Sequence, residues 1–198
     1  MNIRGLIACF AAGIAAFSGL SVMAAEELGP KVGEVIPVDF STIRDRQGNL
    51  MTFSDLTGER GTAIFFVRSV DWCPFCKRQA VEVNERSVDF LERGINPIFI
   101  SYDTQQKQTR FATREKFSLA ILSDERSEVI NAFGLLNESH APSTRFYGIP
   151  HPVIFIVDAN GTIKAKLYEE DYATNKKSFK NRPPVDVVLD KIDEVLPE

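Results

Sequence analysis

The chain has 198 residues, 44% of them hydrophobic, with a formal net charge of −4. That is enough apolar material for one domain with a sizeable core. No basic run or Arg/Lys stripe is present, so nucleic acid is excluded as an expected partner.

The first element is a targeting signal. A basic start, "MNIR", precedes an uncharged apolar run, Gly5 to Val22, and then small residues before the acidic Glu26 and Glu27. This order describes a secretory signal peptide. Val22 and Ala24 suit the −3 and −1 positions, so cleavage is expected after Ala24, with Ala25 as the second choice. The competing reading is a retained membrane anchor, since the run is just long enough to span. "LIAC" at Leu6 to Cys9 resembles a lipoprotein box but stands too near the start, so Cys9 is expected to leave with the signal. The expected division is 1–24 signal peptide and 25–198 one domain. The destination is secreted or periplasmic, with no membrane contact after cleavage. Disulfides persist in such a compartment.

Two short apolar runs surround Gln47-Gly48-Asn49, a pattern that predicts a hairpin. Thr62 to Ser69 is nearly all apolar and predicts a strand buried on both faces. Pro74 to Arg93 predicts one helix. Ala80, Val81, Val88 and Leu91 form its apolar face, and Glu82/Arg86 and Asp89/Arg93 are i,i+4 pairs. "INPIFIS" then predicts a second strand, parallel to the first. A polar helix over Thr104 to Phe117 follows, then a short strand at Leu119 to Leu122. Next comes a helix capped by Ser123 or Asp124 and ended by Gly134. After a loop, Val153 to Asp158 predicts a buried strand that turns back at Asn160-Gly161. Tyr168 to Pro184 reads as a solvated charged loop, and Val185 to Leu196 as a closing amphipathic helix.

"VDWCPFCKRQ", Val70 to Gln79, carries the chemistry. Cys73 and Cys76 fall where a buried strand feeds a helix. Cys73 at the helix start meets unpaired N–H groups and the positive end of the dipole, which favour a thiolate. Lys77, Arg78 and Arg68 add positive potential and Asp71 opposes them. The Cys73 thiol is therefore expected below the free value of about 8.5. Cys76, one turn on, lies within disulfide reach and is placed to resolve a mixed disulfide. A merely structural bridge is disfavoured, because a four-residue loop contributes only roughly 2 kcal/mol. Metal binding lacks ligands: only His140 and His151 exist, eleven apart. Lys77 after Cys76 excludes a CxxCH haem site. No cofactor or metal is expected.

With these residues in this order, the chain resembles the thioredoxin-like superfamily, in its redoxin branch of TlpA-type thiol oxidoreductases and AhpC/TSA peroxiredoxin relatives. The resemblance spans roughly Gly33 to Leu196 and rests on strand–"WCPFC"–helix, the βαβ order and "GIPHPVIFIVDANGTIKAKL". It implies an α/β fold: a central mixed β-sheet flanked by helices, with an N-terminal β-hairpin. It also implies a cis-proline facing the CxxC. Pro152 occupies that place, leaving the His151 backbone free for a substrate peptide and its imidazole for proton transfer near neutral pH. Trp72, usual before the first Cys, shields the thiols. With Pro74, Phe75, His151 and Pro152 it forms the expected substrate-binding set. The chain departs from typical peroxiredoxins, where PxxxTxxC would place Pro at Phe66 and Thr at Val70. Family carboxylates are also replaced, by Val67 and Gln79, so the proton acceptor for Cys76 is left open between water, His151 and an unplaced residue.

The leading expectation is an exported thiol–disulfide oxidoreductase. Its Cys73–Cys76 pair exchanges with a protein dithiol or disulfide and with a thiol redox donor or acceptor. The alternative is a peroxiredoxin-like peroxidase in which Cys73 attacks peroxide. A third reading is a non-catalytic metal- or partner-binding module.

Overall fold

The computed structural model describes residues 27–197. The expected signal peptide at 1–24, with Cys9, lies outside the described residues. Five strands form one sheet in the order β3-β2-β1-β4-β5. β1 (Gly61–Phe66) lies at the centre, parallel to β2 (Ile95–Ser101) and antiparallel to β4 (Val153–Asp158). β3 (Ala120–Ser123) extends the parallel side, and β5 (Ile163–Leu167) returns from β4 through the Asn160-Gly161 turn.

The centre of the sheet follows from composition. Every residue of β1 is buried, and five of the six in β4. Alternate side chains enter two separate apolar layers. Ala63, Phe65 and Val67 face one layer with Phe99, Phe111 and the last helix, α6 (Val185–Val195). Ile64 and Phe66 face the other, with Phe40, Phe133 and Phe155. Gly61 permits the closest strand approach: its φ is +152°, and a Cβ there would lie 2.1 Å from the Val157 carbonyl oxygen.

The structure departs from the expected elements in several places, among them the helix expected to be capped by Ser123 or Asp124, which begins after Ser127. The hairpin at 47–49 shrinks to one bridge, Arg44 to Leu50, around a turn whose Gln47 and Asn49 N–H groups donate to the Asp45 carboxylate. Its second run becomes α1 (Phe53–Leu56), because Thr52 and Asp55 form a reciprocal capping box. The helix predicted over Pro74 to Arg93 is two, α2 (Pro74–Glu85) and α3 (Ser87–Glu92), broken at Arg86 (φ −101°, ψ 16°). The break turns α3, so Phe90 is buried while Val88 and Leu91 are exposed. Arg86 bonds Asp89 and Asp186 instead of Glu82. The remaining helices are α4 (Gln105–Glu115), capped by Thr104, and α5 (Glu128–Ala132). The Asp124 carboxylate accepts from the Glu128 and Ile130 N–H groups at 2.8 Å each. No helix among the described residues is long and apolar enough to cross a membrane.

Candidate active site

β1 delivers the chain to the site. After Val67, whose N–H still donates to Ile100 at 3.0 Å, the backbone leaves the sheet and reaches the start of α2. Cys73 is the N-cap residue, with extended backbone, and Pro74 fills the first turn, where no N–H is needed. The Cys76 N–H donates to Cys73 Sγ at 3.3 Å, so this sulfur does the work of a capping oxygen. Cys73 and Cys76 are joined as a disulfide, their Cα atoms 5.4 Å apart. In that state neither sulfur titrates.

Both sulfurs are buried, Cys73 1% and Cys76 0% exposed. The two are enclosed alike. Both belong to the apolar layer that holds Val67, Val70 and Ala80, and Trp72 and Phe75 pack against it. Pro74 is exposed.

A buried polar network, missed in the sequence, holds the loop before Cys73. The Asp103 carboxylate, at the end of β2, accepts from Ser69 Oγ at 2.8 Å, from the Val70 N–H at 2.7 Å and from Ser101 Oγ at 2.9 Å. Ser69 Oγ in turn accepts from the Asp71 and Trp72 N–H groups at 3.0 and 3.2 Å. Burial, above all, pushes the Asp103 carboxyl up. "SYD" after a predicted strand was the available signal, but a single acidic residue there has no pattern to mark it.

Trp72 is fixed at both ends. Its Nε1–H donates to Tyr102 Oη at 2.9 Å, and its ring meets Phe146 edge-on at 4.9 Å. Phe75 meets Phe179 at 6.1 Å. Of the expected positive neighbours, Lys77 turns back to donate to the Asp71 carbonyl at 3.2 Å. The Arg78 guanidinium lies 5.5 Å from the centre of the Phe75 ring. Asp71 pairs with Lys107 at 3.4 Å. Arg68 is 8% exposed, its guanidinium 3.8 Å from the centre of the Phe179 ring and 5.1 Å from that of Trp72.

Two expectations about the opposite wall are corrected. No peptide bond among the described residues is cis, that of Pro152 included. The His151 N–H is not free for a substrate: it donates to the Leu135 carbonyl at 2.7 Å, beside the Leu136–Pro150 bridge. The His151 imidazole packs on Tyr172 at 4.9 Å and is lowered to about 4 by burial, helped by Arg68 and His140. It is therefore neutral at pH 7, and no hydrogen bond links it to either sulfur. Pro152 still lines the groove with Arg68, His140 and His151. Among the described residues no three His, Cys, Asp or Glu side chains cluster as metal ligands.

A family model described as the AhpC/TSA family matches residues 32–166. The chain belongs to the AhpC/TSA family. Peroxiredoxin Bcp of Escherichia coli (strain K12) is similar, 29% identical over 164 residues that cover 83% of this chain and 96% of that one. Peroxidoxin BcpB from Mycobacterium tuberculosis superposes with a TM-score of 0.67 at 21% identity, covering 83% of this chain and 97% of its own. Xanthomonas campestris peroxiredoxin Q gives 0.62 at 18% identity, covering 81% and 95%. This AhpC/TSA protein is an oxidoreductase of thioredoxin-like fold. The two positions where it departs from PxxxTxxC are filled by core residues: Phe66 and Val70 are 1% and 0% exposed, and the Val70 N–H is spent on Asp103.

Proposed function

We propose that this AhpC/TSA protein is a thiol peroxidase in which Cys73 attacks peroxide and Cys76 resolves the product. The observation that carries this is the disulfide itself: Cys73 caps α2 and is bonded to the cysteine one turn along. The similarity to peroxiredoxin Bcp over most of both chains supports the peroxide as oxidant. The Cys73 thiolate attacks the nearer peroxide oxygen, the O–O bond breaks, and the leaving alkoxide or hydroxide takes a proton. Cys73 becomes a sulfenic acid. The Cys76 thiolate then attacks that sulfur, expels hydroxide as water and forms the disulfide. A thiol donor must return both electrons.

Exchange with a protein disulfide is the second reading, favoured by the adjacency of the two cysteines, which gives an oxidised form that any suitable thiol can open. Export, carried by the basic-then-apolar start, belongs to the proposal. In the test, reduced protein is mixed with hydrogen peroxide or with a disulfide peptide. Peroxide is expected to be consumed with thiol donor in multiple turnovers, Cys73→Ser to lose at least a thousandfold, and Cys76→Ser to stop after one turnover. Rapid reduction of the peptide without peroxide consumption would support the second reading instead.

A further inference from the structure

We propose that Arg182 is a catalytic residue of the thiol cycle: its guanidinium receives the negative charge of Cys76 whenever the disulfide opens. This rests on the reading that Cys73 and Cys76 cycle between dithiol and disulfide. No carboxylate serves Cys76, since Val67 and Gln79 stand where family acids would. The segment 168–184, expected to be solvated, keeps Lys176, Lys177 and Lys180 exposed but turns Ser178, Phe179 and Arg182 inward around a single 3-10 turn, Ser178–Lys180.

Arg182 Nη2 donates to Cys76 Sγ at 3.6 Å, and Nη1 donates to the Asn181 carbonyl at 2.6 Å. Its buried Nε has no acceptor among the described residues, and neither does Gln79 Nε2 on the same small cavity. Neither Arg182 nor Arg68 forms an ion pair among the described residues. The charged groups acting on Arg182 are Arg68, which repels, and Glu169, which attracts and accepts from Asn181 Nδ2 at 3.2 Å. Burial lowers the Arg182 guanidinium to about 10, so it stays cationic at neutral pH.

A buried cation without an anion is costly, and one paired with an anion is far less so. Against a neutral disulfide Arg182 has no ion-pair partner among the described residues, only the pull of Glu169. On reduction the missing anion forms 3.6 Å away. A donor thiol, losing its proton to solvent, attacks Cys73 Sγ as thiolate. The new S–S bond forms, the Cys73–Cys76 bond breaks, and its electron pair goes to Cys76, facing Arg182. A second donor thiol attacks the donor sulfur of the mixed disulfide, leaves as the donor disulfide and returns Cys73 as a thiol. Arg182 thus selects Cys76 as leaving group, and in the oxidising half of the cycle it keeps Cys76 ionised for attack on the sulfenic acid.

The test equilibrates the full chain in glutathione redox buffers and compares Arg182→Gln, Arg182→Lys and, as a matched loss of charge from an exposed site in the same segment, Lys180→Gln. Arg182→Gln is expected to shift the equilibrium at least tenfold toward the disulfide, about 30 mV. Arg182→Lys should stay within threefold of wild type, and Lys180→Gln should be unchanged. In a Cys73→Ser background, Arg182→Gln should also reduce the ultraviolet thiolate absorbance at neutral pH. A pair that cycles normally with Arg182→Gln within twofold of wild type would overturn the assignment alone. A wild-type pair that glutathione cannot open would overturn the cycling reading, and this assignment with it.

Discussion

His151 shows how a residue's neighbours reassign its role. As a histidine beside a CxxC it promises proton transfer near neutrality. Half-buried, and facing Arg68 and His140, it is held down to about 4, so the folded protein keeps it neutral through the range where a free histidine charges. Between pH 6.5 and 4 the unfolded chain takes up a proton that the folded protein refuses, so this residue lowers stability as pH falls. Its share, reduced for partial exposure, is about 1–2 kcal/mol. The buried carboxyls of Asp103 and Asp124 are pushed up, chiefly by burial, and act with the opposite sign. The readout is therefore a difference. Urea unfolding of His151→Gln and wild type across that window should show wild type losing about 1–2 kcal/mol relative to the variant toward pH 4. Parallel curves would mean that His151 titrates as a free imidazole.

Between elements, Asp103 joins the end of β2 to the turn that β1 makes into α2, and so sets where Cys73 stands. Its removal leaves Ser69 Oγ, Ser101 Oγ and the Val70 N–H without their acceptor in a dry interior. Asp103→Ala should cost about 3 kcal/mol in urea unfolding, and a cost under about 0.5 kcal/mol would mean that water replaces the carboxylate. At this scale sequence reading succeeds where one signal dominates. β1, β2 and β4 each carry a continuous apolar stretch, at 63–66, 97–100 and 153–157, and Asn160-Gly161 fixes the β4–β5 turn. It fails where two local signals compete. The capping box of Thr52 and Asp55 wins over the second half of the expected hairpin, and Arg86 finds Asp89 and Asp186 at the cost of a continuous helix. Cys73 and Cys76 were legible because strand, thiols and helix start coincide. Asp103 and Arg182 were not, since each reaches the site from far along the chain: Arg182 lies 106 residues from Cys76.

For the molecule as a whole, the sheet carries an apolar layer on each face, and the disulfide sits inside one of them instead of on a rim. That placement surrounds the sulfurs with low-dielectric packing, in which the Cys76 N–H and the Arg182 cation act strongly on any charge that forms. The most direct measurement is mass spectrometry of the reduced protein after one equivalent of hydrogen peroxide, followed by alkylation. The account predicts a Cys73–Cys76 disulfide in wild type and a sulfenic acid on Cys73 alone in Cys76→Ser. Recovery of Cys73 as an alkylated thiol, with the peroxide unconsumed, would contradict it.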